Sequence, residues 1–308
     1  MNEPIYRVEV DWAPAYELVA SLEAFASRPN HKLLDLTPAW VERAKSVLGP
    51  EATAKLSEKA AKMKVPPLLF VRQCPGQRDV ESFLAWFAGL SPGELYERLA
   101  PSLTEGTPVP GDLGRSRDAL IELLRTWNEH YFRTVDPAIL AGLAAEAEAR
   151  RSELPPASPV AYVETVTRGV YVEPASELRT VLLVPQYHFR PLNLYEDYRD
   201  LTVFIYPAEA LPPESGQAPP PLLRAARALA DESRLRILRF LAGGVRSFTD
   251  IAGHTKLSKS TVHHHMVTLR AAGMVRVYHN RGGAADRYGL RPGAVDMLRD
   301  GITEFLGP

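Results

Sequence analysis

The sequence is short of cysteine and of long apolar runs, and each shortage excludes a class of protein. Its one cysteine, Cys74, leaves no partner for an internal disulfide and no thiolate pair for a metal. No uncharged apolar run approaches the roughly 20 residues that span a bilayer, and the first residues lack the apolar core of a secretion signal. We therefore expect a cytoplasmic protein without a membrane partner, in which Cys74 is a buried side chain rather than a redox switch.

The sequence also has little net charge, but its charges are unevenly distributed. The total for the 308 residues is −1 at pH 7. Residues 221–308 contain 14 Lys and Arg against 7 Asp and Glu, whereas residues 1–220 contain 22 against 30. A basic segment joined to an acidic one predicts a polyanionic partner for the C-terminal part.

A proline-rich segment marks the expected domain boundary. Residues 207–221 read PAEALPPESGQAPPP and show no apolar periodicity, which is typical of an extended linker. The chain is long enough for two domains that each bury a core. We predict an N-terminal domain over residues 1–206, a linker over 207–221 and a C-terminal domain over 222–308.

The first 150 residues carry the signals of helices. Three pairs place a capping side chain before a proline, which suits the first turn of a helix: Thr37-Pro38, Ser91-Pro92 and Asp136-Pro137. Apolar residues also repeat at helical spacing in three segments, which predict helices over residues 16–25, 80–90 and 118–132.

After residue 155 the pattern changes to that of strands. Residues 160–172, 180–184 and 201–206 are rich in Val, Tyr, Thr and Ile and predict three strands. The fold class is therefore α+β, with a mainly helical N-terminal domain that contains a small β-sheet.

The C-terminal domain follows the order helix, helix, helix, hairpin. A first helix is predicted over residues 222–241, a second begins at Ser247 with Asp250 three residues later, and a third begins at Ser258 and ends at Gly273. Strands are predicted over 274–279 and 287–290 around a turn at 280–286. This order is that of a winged helix-turn-helix, whose third helix enters the major groove of DNA.

The predicted DNA-binding side chains lie at the start of the third helix and around it. Cationic side chains neutralise phosphates, and small or flat donors and acceptors suit base edges. The predicted set is Arg246, Lys256, Ser258, Lys259, Ser260, Thr261, His263, His264, Arg281 and Arg287.

This succession resembles the ArsR/SmtB family of winged-helix regulators. The resemblance is carried by residues 229–231 (LAD), 234–238 (RLRIL), 257–265 (LSKSTVHHH), and Leu269 with 272–275 (AGMV). It implies a homodimeric transcriptional regulator that binds double-stranded DNA, most often a repressor of its own operon that releases DNA when an effector binds.

The metal sites that the resemblance brings to mind are not present in the sequence. Residues 246–256 contain no cysteine, and the last predicted helix, 292–306, has no histidine. Its acidic residues Asp296, Asp300 and Glu304 predict a solvated face, and oxygen ligands alone do not favour a soft metal. Consecutive histidines at 263–265 point about 100° apart on a helix and do not converge on one ion. We predict neither a metal nor a cofactor.

The N-terminal domain shows no catalytic pattern, so we do not expect an enzyme. Its sequence has no phosphate-binding glycine loop and no nucleophile elbow. It does hold every tryptophan of the chain and an aromatic run around residues 187–195. Two hypotheses follow: a domain that senses a small-molecule effector, or a structural module for dimerisation or protein docking. A cavity lined by the tryptophans would favour sensing, and a solid core would favour docking.

Overall fold

The structure is a computed structural model that describes residues 6–28, 31–36, 38–60, 65–104, 109, 111–209, 216–281 and 287–307. Its described residues form two compact units. The helical unit comprises Tyr6–Pro155 and Ser176–Leu211, and the winged unit comprises Pro156–Ala175 and Pro212–Pro308. No helix among the described residues is long and apolar enough to cross a membrane.

The helices of these ranges, in chain order, are α1 (Pro14–Ala26), α2 (Pro38–Ala60), α3 (Pro67–Gln73), α4 (Val80–Gly89), α5 (Pro92–Leu99), α6 (Leu113–His130), α7 (Pro137–Ser152), α8 (Pro159–Val166), α9 (Pro220–Leu229), α10 (Glu232–Ala242), α11 (Phe248–Thr255), α12 (Lys259–Ala271) and α13 (Ala294–Leu306). The strands are β1 (Arg7–Val10), β2 (Val170–Val172), β3 (Thr180–Gln186), β4 (Leu194–Asp197), β5 (Leu201–Pro207), β6 (Arg246–Ser247), β7 (Val275–His279) and β8 (Arg287–Leu290). The fold class is α+β, as the sequence predicts.

In the helical unit, helices α1–α7 accompany one small sheet. Its strand order is β1-β3-β5-β4, with β1, β3 and β5 parallel and β4 antiparallel to β5. Every residue of β3 and β5 is buried, which explains their near-continuous apolar sequence. The strands predicted over 180–184 and 201–206 are confirmed, each with slightly longer bounds.

The predicted helix starts have the expected capping bonds wherever they are described. Ser91 accepts a hydrogen bond from the Glu94 amide at 3.2 Å, and Asp136 accepts one from the Ala138 amide at 2.8 Å. Thr37 lies outside the described residues. These side chains satisfy amide groups that the first helical turn leaves unpaired, so they fix where α5 and α7 begin.

The strand predicted over residues 160–172 is wrong for its first half. Residues Pro159–Val166 form helix α8, and only Val170–Val172 form a strand. The Ser158 hydroxyl accepts the Ala161 amide at 3.4 Å, and Pro159 occupies the first helical position. The same Ser-Pro signal marks helix α5, and here it outweighs the β-propensity of the valines.

In the winged unit, strand β2 is part of the wing sheet. The strand order is β2-β7-β8-β6, and β2 is parallel to β7 with Val170 opposite Val277. Gly169 has φ +121°, and a Cβ there would lie 2.5 Å from the carbonyl oxygen of Val275. Only glycine allows the chain to approach β7 this closely, so the sequence at 169 fits the addition of this strand.

Two ion pairs join the segment Pro156–Ala175 to the wing. Arg276 binds both carboxylate oxygens of Glu164 at 2.7 Å, and its guanidinium lies 4.7 Å from the ring centre of Tyr171. Arg287 binds both oxygens of Glu173 at 2.9 Å. The first pair is largely buried and the second is about half exposed. Segment 156–175 therefore contributes a helix, a strand and two carboxylates to the winged unit.

The single helix predicted over residues 222–241 is wrong, because the structure has two. Helix α9 ends at Leu229, and Asp231 caps α10 by accepting the Arg234 amide at 3.0 Å. The carboxylate competes for amide groups that a continuous helix would use, so the chain turns between the two helices. Helix α9 begins at Pro220, inside the predicted linker, while residues 210–215 lie outside the described residues.

The division into domains at 207–221 stays a prediction. The structure adds that Pro156–Ala175, which the sequence gives to the N-terminal domain, packs with the residues after the linker.

Candidate nucleic-acid interface

The turn between α11 and α12 positions the candidate interface. Ser247 and Asp250 form a capping box at the start of α11: the hydroxyl accepts the Asp250 amide at 3.1 Å and the carboxylate accepts the Ser247 amide at 2.9 Å. Helix α11 ends at Thr255, and the next residue, Lys256, has the left-handed φ of 57° that such a C-terminal turn requires. Helix α12 then begins beyond Ser258, whose hydroxyl accepts the Thr261 amide at 3.2 Å.

One face of α12 holds it in the core of the winged unit. Val262, Met266 and Leu269 are buried, and they pack with side chains of α9, α10 and the wing strands. The predicted core face of this helix is confirmed. Because these residues repeat every three or four positions, the helix has one orientation in which its polar face is outside.

The polar face brings the predicted contact residues together at the start of α12. The exposed side chains there are Ser258, Lys259, Ser260, Thr261, His263 and His264. The hydroxyl of Ser258 lies 2.9 Å from that of Ser260 and 2.8 Å from that of Thr261. The free amide groups and the dipole of a helix start favour a negative partner such as phosphate.

His265 differs from its two histidine neighbours because its side chain is turned inward. It is 8% exposed, and its Nδ1 has no hydrogen-bond partner among the described residues. Burial lowers the pKa of the His265 imidazole, and the Asp231 carboxylate opposes this shift only in part. The described residues contain no group of three or more side chains placed to hold a metal ion.

The predicted arginines around the helix each make contacts within the winged unit. Arg246, in β6, lies with its guanidinium 4.8 Å from the ring centre of Phe240 and donates to the Gly243 carbonyl at 3.2 Å. Arg287 pairs with Glu173. Arg281 is half-buried at the start of the wing turn, whose residues 282–286 lie outside the described residues. Lys256 and Lys259 are exposed and flank the turn into α12.

The contribution of residues 156–175 to the winged unit is not among the predictions from the sequence. Glu173 pairs with Arg287, and Glu164 pairs with Arg276 at the base of the wing. The sequence contained one signal for this segment, the Ser158-Pro159 helix start. The pairing of β2 with β7, however, joins residues more than 100 positions apart and leaves no local pattern.

The tryptophans of the helical unit are divided between its core and its edge. Trp127 is fully buried, donates to Ser21 Oγ at 2.9 Å and packs on Phe25. Trp40 is buried and donates to the Tyr131 hydroxyl at 2.6 Å. Trp86 is half-buried beneath Arg98, and Trp12 is also half-buried.

A buried polar chain continues from Tyr131. Its hydroxyl lies 2.8 Å from His188 Nε2, and His188 Nδ1 lies 2.5 Å from a Glu17 oxygen. Glu17 also accepts the amides of Tyr187 and His188. These groups satisfy one another's hydrogen bonds inside the core, which is the arrangement of a packed interior.

Cys74 is buried as the sequence predicts. It is 5% exposed, and burial raises the pKa of its thiol, so the nucleophilic thiolate is disfavoured.

Helices α10, α11 and α12 are followed by the hairpin of β7 and β8, and α12 has a capped, exposed polar start. This arrangement is the winged helix-turn-helix of DNA-binding transcriptional regulators. Residues 231–277 match the model of the bacterial regulatory protein, arsR family. The match covers the helix-turn-helix and most of the first strand of the wing, and the chain extends well beyond the matched segment.

Two solved structures, both of a fragment from Mycobacterium bovis, are similar to part of the chain. A crystal structure of a possible transcriptional regulatory protein is 26% identical and covers 26% of this chain and 84% of its own, with a TM-score of 0.23. A solution structure of a homodimeric winged helix-turn-helix DNA-binding domain, described as a possible ArsR-family regulator, is 26% identical and covers 26% of this chain and 72% of its own, with a TM-score of 0.23. A comparison with curated proteins finds no match.

Proposed function

We propose that this protein is a sequence-specific, dimeric repressor that reads an operator with the start of α12. The observation that carries the proposal is the exposure of Lys259, Thr261 and His264 at the N-terminal end of a helix held in the core by its opposite face. Such a helix end is able to enter the major groove while the rest of the domain stays folded. As a DNA-binding regulator without catalytic chemistry, the protein acts in the cytoplasm.

The contact residues divide into two roles. The phosphates are neutralised by the cationic side chains, and Ser258 caps the helix. The cationic side chains are Arg246, Lys256, Lys259, Arg281 and Arg287. Ser260, Thr261, His263 and His264 face the bases. The phosphate contacts act on every sequence alike, whereas the base contacts give the preference for one operator.

The proposed dimer uses an apolar stripe on α13. Val295, Ile302 and Leu306 are 71%, 41% and 73% exposed, and their spacing places them on one side of the helix. Contiguous exposed apolar side chains of this kind mark association surfaces. A dimer would place two recognition helices about 34 Å apart, so that the operator is an imperfect palindrome.

An effector response is part of the proposal, but the helical unit is not its favoured sensor. Trp40 and Trp127 fill a core, which supports the structural alternative for that unit: a dimerisation or protein-docking module without a small-molecule effector. An effector changes DNA binding only if it binds the competent and incompetent states with different affinity.

Selection from a random DNA library, combined with sedimentation, tests the operator and the dimer together. We expect enrichment of sequences with two inverted half-sites one helical turn apart, and a dimer in the ultracentrifuge. The variant Ile302→Asp should sediment as a monomer and lose the selected DNA, whereas Thr303→Asp, which adds the same charge on the polar side, should keep both. Enrichment of single, unpaired sites by a monomeric protein would reject the dimer.

A further inference from the structure

The winged unit contains a cleft that the proposed DNA contacts do not use. Its volume is about 640 Å³, within the range of roughly 300–1,000 Å³ typical of small-molecule sites. Helices α9 and α13 form its walls, and the segment Ala271–Met274, which joins the recognition helix to the wing, forms its floor. An occupant of this cleft would therefore touch the junction between the two DNA-binding elements.

The cleft is apolar apart from a few placed charges. Leu222, Met274 and Phe305 are among its apolar lining residues. Three charged side chains also line it: Arg291, which is buried, Arg168, and Glu304, which is exposed. An apolar wall with one or two convergent charged groups is the usual composition of a site for an amphipathic molecule.

Arg291 is the most unusual of these residues. It is 6% exposed, and among the described residues its guanidinium makes one hydrogen bond, of 3.4 Å, to the Gly273 carbonyl. No ion pair joins it to a carboxylate of the described residues, and Glu164, whose charge acts on it, is bound by Arg276. Burial lowers the pKa of the Arg291 guanidinium from its ordinary value, with Glu164 partly opposing the shift. A buried cation with so few partners is costly unless an anion completes its hydrogen bonds.

Glycines line part of the cleft, and one of them lies against this guanidinium. Gly273 has φ +69°, and a Cβ there would lie 3.1 Å from Arg291 Nη1. Gly301 lies inside α13, where neither a turn nor a left-handed backbone requires it, and a Cβ there would meet only Leu222 Cδ1 at 3.8 Å. Glycine is among the least favourable residues in a helix interior, so its presence at 301 is explained by the room it leaves in the cleft.

We propose that this cleft binds a small amphipathic carboxylate, with its carboxylate on Arg291 and its apolar tail between α9 and α13. The planar fork of a guanidinium matches the two oxygens of a carboxylate, and one buried cation in a cleft that Glu304 also lines suits a single negative charge better than a phosphate dianion. Val295, Ile302 and Leu306 of the proposed dimer stripe are not among the residues that line the cleft.

The proposal gives the effector response a ligand class and a location. Its regulatory meaning rests on the proposed function, but the binding itself requires no DNA. A titration without DNA therefore tests ligand binding in the cleft even if the protein binds no operator. If no ligand binds in the cleft, the proposal that α12 binds DNA is unaffected.

The experiment is calorimetric titration of the full-length protein with decanoate, and with decan-1-ol as the uncharged match of the same chain length. We expect saturable 1:1 binding of decanoate per chain and much weaker binding of decan-1-ol. Arg291→Met should weaken decanoate about 10- to 100-fold, the usual loss for a charge-assisted hydrogen bond, and leave decan-1-ol unchanged. Gly301→Leu, which fills the cleft and keeps the cation, should weaken both.

The control variant is Arg299→Gln, which removes a charge from the exposed side of the same helix. Thermal unfolding of each variant checks that it folds. If Arg291→Met does not fold, the binding of decanoate to Gly301→Leu still tests whether the cleft is the binding site. Equal decanoate binding by wild type and Gly301→Leu would overturn the proposal. Absence of decanoate binding to the wild type would also overturn it, and if Gly301→Leu then turned a dimer into a monomer, a second copy of the chain would be the occupant.

Discussion

At the scale of the residue, the three consecutive histidines of α12 show how position on a helix decides chemistry. His263 and His264 are exposed beside the hydroxyls of the helix start, and His265 is buried with a lowered pKa. Successive side chains of a helix point about 100° apart, and for this reason the sequence predicts that the three do not converge on one metal ion. It does not show which histidine is buried, since that depends on the packing of Asp231 and α10.

The lowered pKa of His265 predicts a pH-dependent stability. Below the ordinary histidine value of 6.5 the unfolded chain takes up a proton at this position before the folded chain does, so the free energy of unfolding falls as pH drops. His265→Gln removes this contribution. We expect the difference in unfolding free energy between pH 7.5 and pH 5.5, measured by urea denaturation, to be smaller in the variant than in wild type.

His264→Gln is the matched control, since its side chain is exposed on the same helix. It should leave the pH dependence of stability unchanged. If the unfolding free energy of His265→Gln changed with pH as much as that of the wild type, the buried imidazole would not be the group that titrates.

Lys259 and Thr261 separate affinity from specificity. Lys259→Ala should weaken cognate and random DNA alike and reduce the slope of log K against log salt by about 1, because one phosphate contact is lost. Thr261→Ala should lower the affinity for the operator, by about 1–3 kcal/mol, and leave random DNA unchanged. Fluorescence anisotropy at several salt concentrations measures both; identical losses on the two duplexes for Thr261→Ala would contradict its assignment to base contact.

At the scale of the element, helix α8 and strand β2 support the wing. Glu164→Gln breaks the largely buried bidentate pair with Arg276 and leaves that guanidinium without its counter-ion, so we expect a loss of about 1–3 kcal/mol of unfolding free energy. Glu173→Gln breaks a half-exposed pair, in which Arg287 donates from Nη2 alone, and should cost less than about 1 kcal/mol.

Chemical denaturation of the two variants side by side distinguishes a supported wing from a solvated surface contact. Equal and negligible losses would mean that the segment adds nothing to the wing. In addition, Glu173→Gln frees Arg287 for phosphate, so this variant should bind DNA at least as tightly as wild type.

Local signals in the sequence predicted some elements and missed others for physical reasons. Strands β3 and β5 are apolar throughout because both faces are buried, and this pattern is visible in one dimension. The break after Leu229 depended on a single side chain, Asp231, which ended one helix and capped the next. Strand β2 has only three residues and a partner far along the chain, and such pairing leaves no periodicity to read.

At the scale of the whole molecule, the two compact units interleave along the sequence. The winged unit uses Pro156–Ala175 in addition to the residues after 212, so its sequence is discontinuous. The proline-rich segment at residues 207–221 separates an acidic N-terminal part of the sequence from a basic C-terminal part. It could not reveal that an earlier segment completes the wing sheet.

This discontinuity predicts that truncation at the linker harms the winged unit. A fragment of residues 216–308 lacks β2, Glu164 and Glu173, whereas a fragment of residues 156–308 retains them. We expect the longer fragment to unfold at a clearly higher temperature and with a sharper transition, followed by circular dichroism. Equal melting temperatures would show that the winged unit does not need the earlier segment.

The central claim is that the start of α12 binds a specific operator, and one titration tests it most directly. Full-length protein is added to a labelled duplex from upstream of its own gene and to a random duplex, at 50 and 200 mM salt, with anisotropy as the signal. We predict binding of the upstream duplex at least about 10³-fold tighter than the random one, weakening at the higher salt. Absence of binding to either duplex at 50 mM salt would contradict the claim and leave the winged helix as a protein-contact module.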